Sequence, residues 1–331
     1  MSASCAGRRG GKVAGAVAAG LALGAVCTLA TASDALAMTV RQVGATPSSI
    51  TCAFAPGPQE ELVDITGAEY RTVGSGEWIA VPSEYVEDFT KSGMTIGNLE
   101  PGVLLAQMRI NYTCRHGGSS VATAEAAYCY DLATVADPVD DVKIAAQLFD
   151  TKKLKLSFAN PGAIEGYQVK LAPIAGKAPV VTYRRSFEKT TFSNKDRFTT
   201  DYFDARLNTV YKVRVRTWVA MDDTAKTKVY AKWSPTTVVV PQPDMWGKRS
   251  GSAAKLSWTK IKGASSYTVY ASTKAKSGFK KLATTSSTSL SVKKIAGKKL
   301  SSSKRYYFYV KAKAVQGKKT YSTGGKAIFS L

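Results

Sequence analysis

One stretch of the sequence sets a nucleophile next to a base. It reads "YTCRHGG", residues 112–118, with Cys114 and His116 two positions apart. On a strand, positions i and i+2 share a face, so a thiol and an imidazole spaced this way could form a dyad. His116 is the single histidine of the chain and stands beside two turn glycines, with no evident third group to orient it. The pattern reads as a turn histidine near a strand-end cysteine, and no catalytic, cofactor or metal residue is assigned. The acid pairs Glu60-Glu61 and Asp222-Asp223 sit in polar stretches and could hold Ca²⁺ weakly. Neither is surrounded by ligand-rich spacing, so both read as solvated loop acids. No phosphate-cradling glycine loop occurs, since "GSAAKLS" lacks the required spacing.

Aromatic and cationic residues interleave more suggestively. "YYFYVKAKA" (306–314) places Tyr306, Phe308, Val310 and Ala312 on one face and Tyr307, Tyr309, Lys311 and Lys313 on the other. Tyr270 should join that outer face. "VYKVRVRTW" (210–218) turns Tyr211, Val213 and Val215 inward and leaves Lys212, Arg214, Arg216 and Trp218 outward, alongside Gln168 and Lys170. Aromatic planes between cations suit stacking on sugar rings or bases, with attraction to phosphate, sulfate or carboxylate. The alternative is that these cross-strand pairs simply protect an exposed sheet. These nine residues (Tyr270, Tyr307, Tyr309, Lys311, Lys313, Lys212, Arg214, Arg216 and Trp218) are the ligand-binding candidates.

The elements that must position them follow from periodicity. A period of two recurs along the chain, and no sustained helical stripe appears after residue 37, so half-buried antiparallel strands are expected. Turn signals separate them: "NPG" at 160–162, "HGG" at 116–118, "VQGKK" at 315–319 and "STGG" at 322–325. Trp258 and Tyr267 lie nine apart, and one hundred residues earlier Phe158 and Tyr167 repeat the interval. Recurrence at that spacing marks an array of like units.

"KLSW … GASSYTVY … LSSSKRYYFYVKAKA … KKTYS" resembles a fibronectin type III domain of the bacterial secreted kind. Trp258 matches the core aromatic of that family's strand B, Tyr267 opens strand C, and Tyr306 matches the corner tyrosine leading strand F. Residues 139–241 keep Tyr167 and Tyr211 but carry Phe158 for the tryptophan, and "KVYAKWSP" (228–235) resembles strand G. In the first unit "SITCAF" (49–54) takes the place of strand B, "GAEYRTV" (67–73) of strand C and "LLAQMRINYTC" (104–114) of strand F. Leu104 stands there where the corner tyrosine would be, and an immunoglobulin-like sandwich remains an alternative. The resemblance implies an all-β protein of three tandem sandwiches: 38–138, 139–241 and 242–331. Short proline-stiffened linkers, "ADPVDD" (136–141) and "PQPD" (241–244), join them into a semi-rigid rod. Cys114 stands too far along strand F for an immunoglobulin-type bridge, and a turn near "HGGS" sets Cys129 opposite Ala106. Cys52, Cys114 and Cys129 are therefore expected to be buried thiols without a disulfide.

Residues 1–37 have the layout of a secretory signal peptide: Arg8, Arg9 and Lys12, then an apolar stretch, then "ALA" at 35–37. A retained anchor is the alternative. The C-terminal "KAIFSL" carries no hydrophobic tail or sorting sequence. Charge rises along the chain. Residues 38–138 carry 5 Lys+Arg against 12 Asp+Glu, 139–241 carry 18 against 10, and 242–331 carry 20 against Asp244 alone. Such a basic end invites a polyanionic partner.

The expected function is non-catalytic binding or adhesion outside the cell, by a protein either released or held at the envelope. Its basic module would grip an anionic wall polymer or acidic glycan, with extracellular nucleic acid as a further polyanion and a protein partner for the acidic first unit. A spacer without a ligand and a hydrolase with its chemistry in the first unit are the rival readings.

Overall fold

The computed structural model describes residues 37–87, 89–148, 151–176, 179–191, 197–221 and 227–331. The expected signal segment (but for Ala37) and Asp222-Asp223 lie outside these residues. Among the described residues the structure is strand throughout, apart from turns and a single-turn 3₁₀ helix at Ser83–Tyr85.

The first group of strands is β1 (Thr39–Ala45), β2 (Ile50–Ala55), β3 (Glu60–Thr72), β4 (Ile79–Ala80), β5 (Gly93–Ile96), β6 (Leu104–His116) and β7 (Thr123–Ala133). They make two antiparallel sheets, ordered β1-β2-β5 and β4-β3-β6-β7. Alternation decides which side chains enter: Ile50, Cys52 and Phe54 of β2 share one buried cluster with Met108, Ile110, Tyr112 and Cys114 of β6. The "GAEYRTV" strand is longer than its sequence suggests, reaching back to Glu60, and its pairing with β6 contains three register shifts.

The second group is β8 (Lys143–Leu148), β9 (Lys153–Ala159), β10 (Ala163–Pro173), β11 (Val181–Thr191), β12 (Arg197–Thr199), β13 (Phe203–Asp204), β14 (Tyr211–Ala220), β15 (Lys228–Tyr230) and β16 (Thr237–Val239). One sheet runs β12-β9-β13 with β8 also on β9, and the other β11-β10-β14-β15 with β16 also on β14. The third group is β17 (Met245–Ser250), β18 (Ala253–Trp258), β19 (Ser266–Ser272), β20 (Lys280–Thr285), β21 (Ser289–Val292), β22 (Lys294–Ile295), β23 (Lys298–Lys299), β24 (Tyr307–Gln316), β25 (Lys319–Ser322) and β26 (Phe329–Ser330). Its sheets are β17-β18-β21 and β20-β19-β24-β25 with β26 on β24, plus the hairpin β22-β23. A smaller sheet facing a larger one thus recurs three times, each pair closed over its own apolar cluster. The chain is an all-β array of sandwiches.

The nine-residue interval has a packing cause. Trp258 ends β18, Tyr267 lies in β19 of the opposite sheet, and their ring centroids are 5.8 Å apart across the core. Phe158 and Tyr167 meet through Phe198, at 4.9 and 5.5 Å. The hydroxyls of Tyr267, Tyr167 and Tyr306 each accept a backbone N–H, from Ile261 (2.8 Å), Asp201 (2.9 Å) and Ser301 (2.9 Å). Such pairing removes the cost of burying an unsatisfied oxygen.

The linkers are packed rather than merely short. Ala136, Val139 and Val142 sink into the second core, while Val210 and Val240 belong to the third. Gln242 donates to the Val310 carbonyl at 2.6 Å, and Val210 and Lys262 are joined backbone to backbone at 2.9 Å. Between the first two sandwiches, Leu104, Ala133 and Val135 cluster with Ala163, Val219, Met221 and Ala231. Leu104 therefore replaces the corner tyrosine because its position serves this apolar joint.

Candidate functional site

The inward row of β6 runs Ile110, Tyr112, Cys114, all essentially buried, and its next member is His116 at the open end of the sandwich. Strand register brings two acids to the same corner. Glu60, the first residue of β3, pairs with His116, while Glu125 of β7 pairs with Tyr112. His116 Nε2 lies 3.2 Å from Cys114 Sγ and 2.5 Å from Glu125 Oε1. Cys114 Sγ is 3.8 Å from Glu60 Oε1. The four donor atoms all fall within 4.8 Å of one another. The third group that the sequence does not reveal beside the Cys114/His116 pair is thus present, and Glu60 is a strand residue rather than a loop acid.

The corner is held from behind. Gly57 N–H donates to Glu60 Oε2 at 2.8 Å, which leaves Oε1 for the cluster. The Tyr112 hydroxyl lies 3.2 Å from Glu60 Oε1 and 3.1 Å from Glu125 Oε2, and its single proton can serve one of them at a time. Met38 N–H donates to the same hydroxyl at 3.4 Å. Burial works against ionisation of Glu125, but hydrogen bonds from His116 and Tyr112 outweigh it and hold its pKa below the ordinary value.

This arrangement is poorly suited to a nucleophilic triad. Burial first, then the charges of Glu125 and Glu60, push the Cys114 thiol up to about 11, whereas a catalytic cysteine needs its thiolate stabilised. Both the thiol and the carboxylate also approach the same ring nitrogen, Nε2, so the imidazole cannot relay a proton between opposite nitrogens as triads require. Donors converging on one point are the geometry of a cation site.

The cysteines otherwise behave as expected. No disulfide joins Cys52, Cys114 or Cys129, and all three are buried. Cys129 faces Met108, not Ala106, because the β6–β7 hairpin turns later than "HGGS" suggests, its unbroken register setting Cys114 against Thr123.

The outer sheet faces need two corrections. Tyr309 is not an open platform. It stacks on Tyr270 at 4.6 Å and 13°, lies 4.9 Å from Phe279, sits under Lys326, and is only 4% exposed. Trp218 is likewise 3% exposed, because its ring fills the space a side chain at Gly166 would occupy and Lys228 covers it at 4.1 Å. In the second unit Arg216 lies over Tyr230 (4.0 Å) and Trp233 (4.5 Å), and Arg214 over Trp233 (5.8 Å). Those cations are engaged with the chain's own aromatics, which favours the protective reading of that face, while Lys212 and Lys170 stay exposed. In the third unit Tyr270, Tyr307, Lys311 and Lys313 are half-buried and share one face with Tyr309. Between the second and third units, Lys152, Arg206 and Lys262 line an open cleft of about 490 Å³.

No protein-family model matches the chain, and no curated protein is similar to it. Solved structures do match, among them a two-domain fibronectin type III segment of chicken tenascin at 11% identity. That overlap covers 60% of this chain and 95% of the other, with a TM-score of 0.27. Likeness at that level is too loose to assign the fold, so the sandwich architecture rests on the strand pairing itself.

Proposed function

We propose that this chain is a non-catalytic binding protein of the cell exterior, whose third unit grips an anionic polymer through diffuse electrostatics. The observation that carries the reading is the state of that unit's charge. Residues 242–331 hold 20 Lys+Arg and one carboxylate side chain, Asp244, so these cations cannot be neutralised within the unit. Every lysine there is exposed except Lys311 and Lys313, which are half-buried. Unpaired like charges at such density repel one another, and a polyanion relieves that repulsion. Lysine is a point charge without the bidentate fork of arginine, so the grip is broad and suits a repeating phosphate polymer or acidic glycan. Lys152, Arg206 and Lys262 at the neighbouring cleft extend the positive surface toward the second unit. The packed joints make the second sandwich a stiff spacer between this basic end and the acidic first unit.

Binding of the full chain to a teichoic-type phosphate polymer, an acidic glycan and duplex DNA, measured across salt concentrations, tests the reading. Affinity should fall steeply with salt for the preferred polymer, and a neutral glycan should not bind. If none of the three binds at low salt, the ligand-free spacer takes the place of this proposal.

A further inference from the structure

The corner formed by β3, β6 and β7 carries an inference independent of the polyanion reading. We propose that Glu60, Cys114, His116 and Glu125 form a metal centre for a zinc-class divalent ion that locks the open end of the first sandwich.

The donor set selects the ion. Calcium and magnesium take oxygen ligands, whereas a thiolate, an imidazole and carboxylates together suit zinc. Zinc sites are tetrahedral, with bonds of about 2.0–2.3 Å, so neighbouring donors stand roughly 3.3–3.8 Å apart. The Cys114–His116 separation of 3.2 Å and the Cys114–Glu60 separation of 3.8 Å are already close to such edges. The 2.5 Å contact between His116 and Glu125 must open, with the ion replacing the proton that now lies between them and the Cys114 thiol releasing its proton to solvent as the sulfur binds. Both side chains can move, being 40% and 31% exposed, and that exposure is also the route by which an ion would enter. Cys114 is fully buried on β6, which is paired on both sides there, and supplies the fixed ligand.

The surrounding contacts belong to the same design. A ligand carboxylate usually has its free oxygen or its orientation fixed by an outer hydrogen bond. Gly57 holds Glu60, and the Tyr112 hydroxyl, between the two carboxylates, donates to one of them at a time, so Tyr112 is a positioning residue rather than a ligand. Four protein donors complete the coordination and leave no position for a substrate, which makes the site structural. Its effect would be to clamp three strands at the end where Met38, just before β1, also donates to Tyr112.

The test uses the full chain, stripped with a chelator and titrated with cobalt(II) as a spectroscopic substitute for zinc. Tetrahedral d–d bands and a thiolate-to-cobalt charge-transfer band should grow to saturation at one equivalent and vanish when zinc is added. Zinc should also raise the melting temperature, because an ion bound only by the folded state stabilises it. Cys114→Ser should abolish the charge-transfer band, and Tyr112→Phe should weaken binding by about tenfold while retaining the band. Absence of the band in the parent chain, or its persistence in Cys114→Ser, overturns the proposal. X-ray absorption on the cobalt-loaded parent chain covers the case of a variant that does not fold. One sulfur in the first shell is expected, and a shell of light atoms alone refutes the site.

Discussion

Gly102 and Gly162 meet backbone to backbone at the joint of the first two sandwiches. Both have left-handed φ, +68° and +85°, and the Gly102 carbonyl accepts the Ala163 N–H at 2.6 Å. A Cβ at 102 would lie 2.4 Å from the Pro161 oxygen, and one at 162 would lie 2.5 Å from the Gly102 oxygen. No flexible side chain is there to give way. Gly102→Ala or Gly162→Ala should therefore loosen the joint, at about 1–3 kcal/mol of backbone strain. Limited proteolysis reads this directly. The parent chain should resist cutting within 136–141, where Ala136 and Val139 are buried, and the variants should be cut there faster. Equal cutting rates would show that the joint does not depend on this contact.

What the sequence could disclose was whatever rests on alternation within one strand. The inward rows of β14 and β24 and the aromatic anchors Trp258, Tyr267, Phe158 and Tyr167 are local patterns, and the structure buries all of them. Relationships across strands are different, because register depends on bulges that leave no signature. The β3–β6 pairing shifts three times before it sets Glu60 against His116, so Glu60 could not be linked to Cys114 from spacing, and Glu125 depends on where the β6–β7 hairpin turns, which the glycines of the turn do not fix. The same limit explains Trp218 and Tyr309. Alternation correctly placed them on the outer face, but it cannot tell that Gly166 makes room for one ring and Tyr270 and Phe279 cover the other.

Trp258 is the largest side chain in the third core, 2% exposed, and its indole N–H has no acceptor among the described residues. Trp258→Ala should cost about 3–5 kcal/mol through the cavity it leaves. Trp258→Phe should cost distinctly less, since it removes an unsatisfied donor along with some volume. Thermal melts followed by near-ultraviolet circular dichroism would rank the two. A Phe variant as damaging as Ala would mean that the indole N–H is satisfied after all.

The three cysteines of residues 38–331 should react as three thiols once the chain is denatured without reductant. In the native, chelator-treated chain the same reagent should act slowly, because all three side chains are buried. Mass spectrometry after alkylation counts them. One modified cysteine in the denatured chain would reveal a bridge between the other two.

Tyr309 and Lys311 lie two apart on the outer face of β24, yet they should fail in different ways when replaced. Tyr309→Ala removes a covered ring stacked on Tyr270 and flanked by Phe279, so its main effect should be on stability, about 3–5 kcal/mol. Substituting Lys311 and Lys313 with glutamine should leave the melting temperature nearly unchanged and flatten the salt dependence of polyanion binding. Each lost contact with duplex DNA changes the log–log slope by about 0.9, because fewer condensed counterions are released. Lys298 and Lys299, exposed on the small hairpin of β22 and β23, provide the comparison. A larger change of slope from Lys311 and Lys313 than from the hairpin pair would place the grip on the β19–β24 face. Equal changes would mean that the whole basic surface acts as one field, with no preferred site.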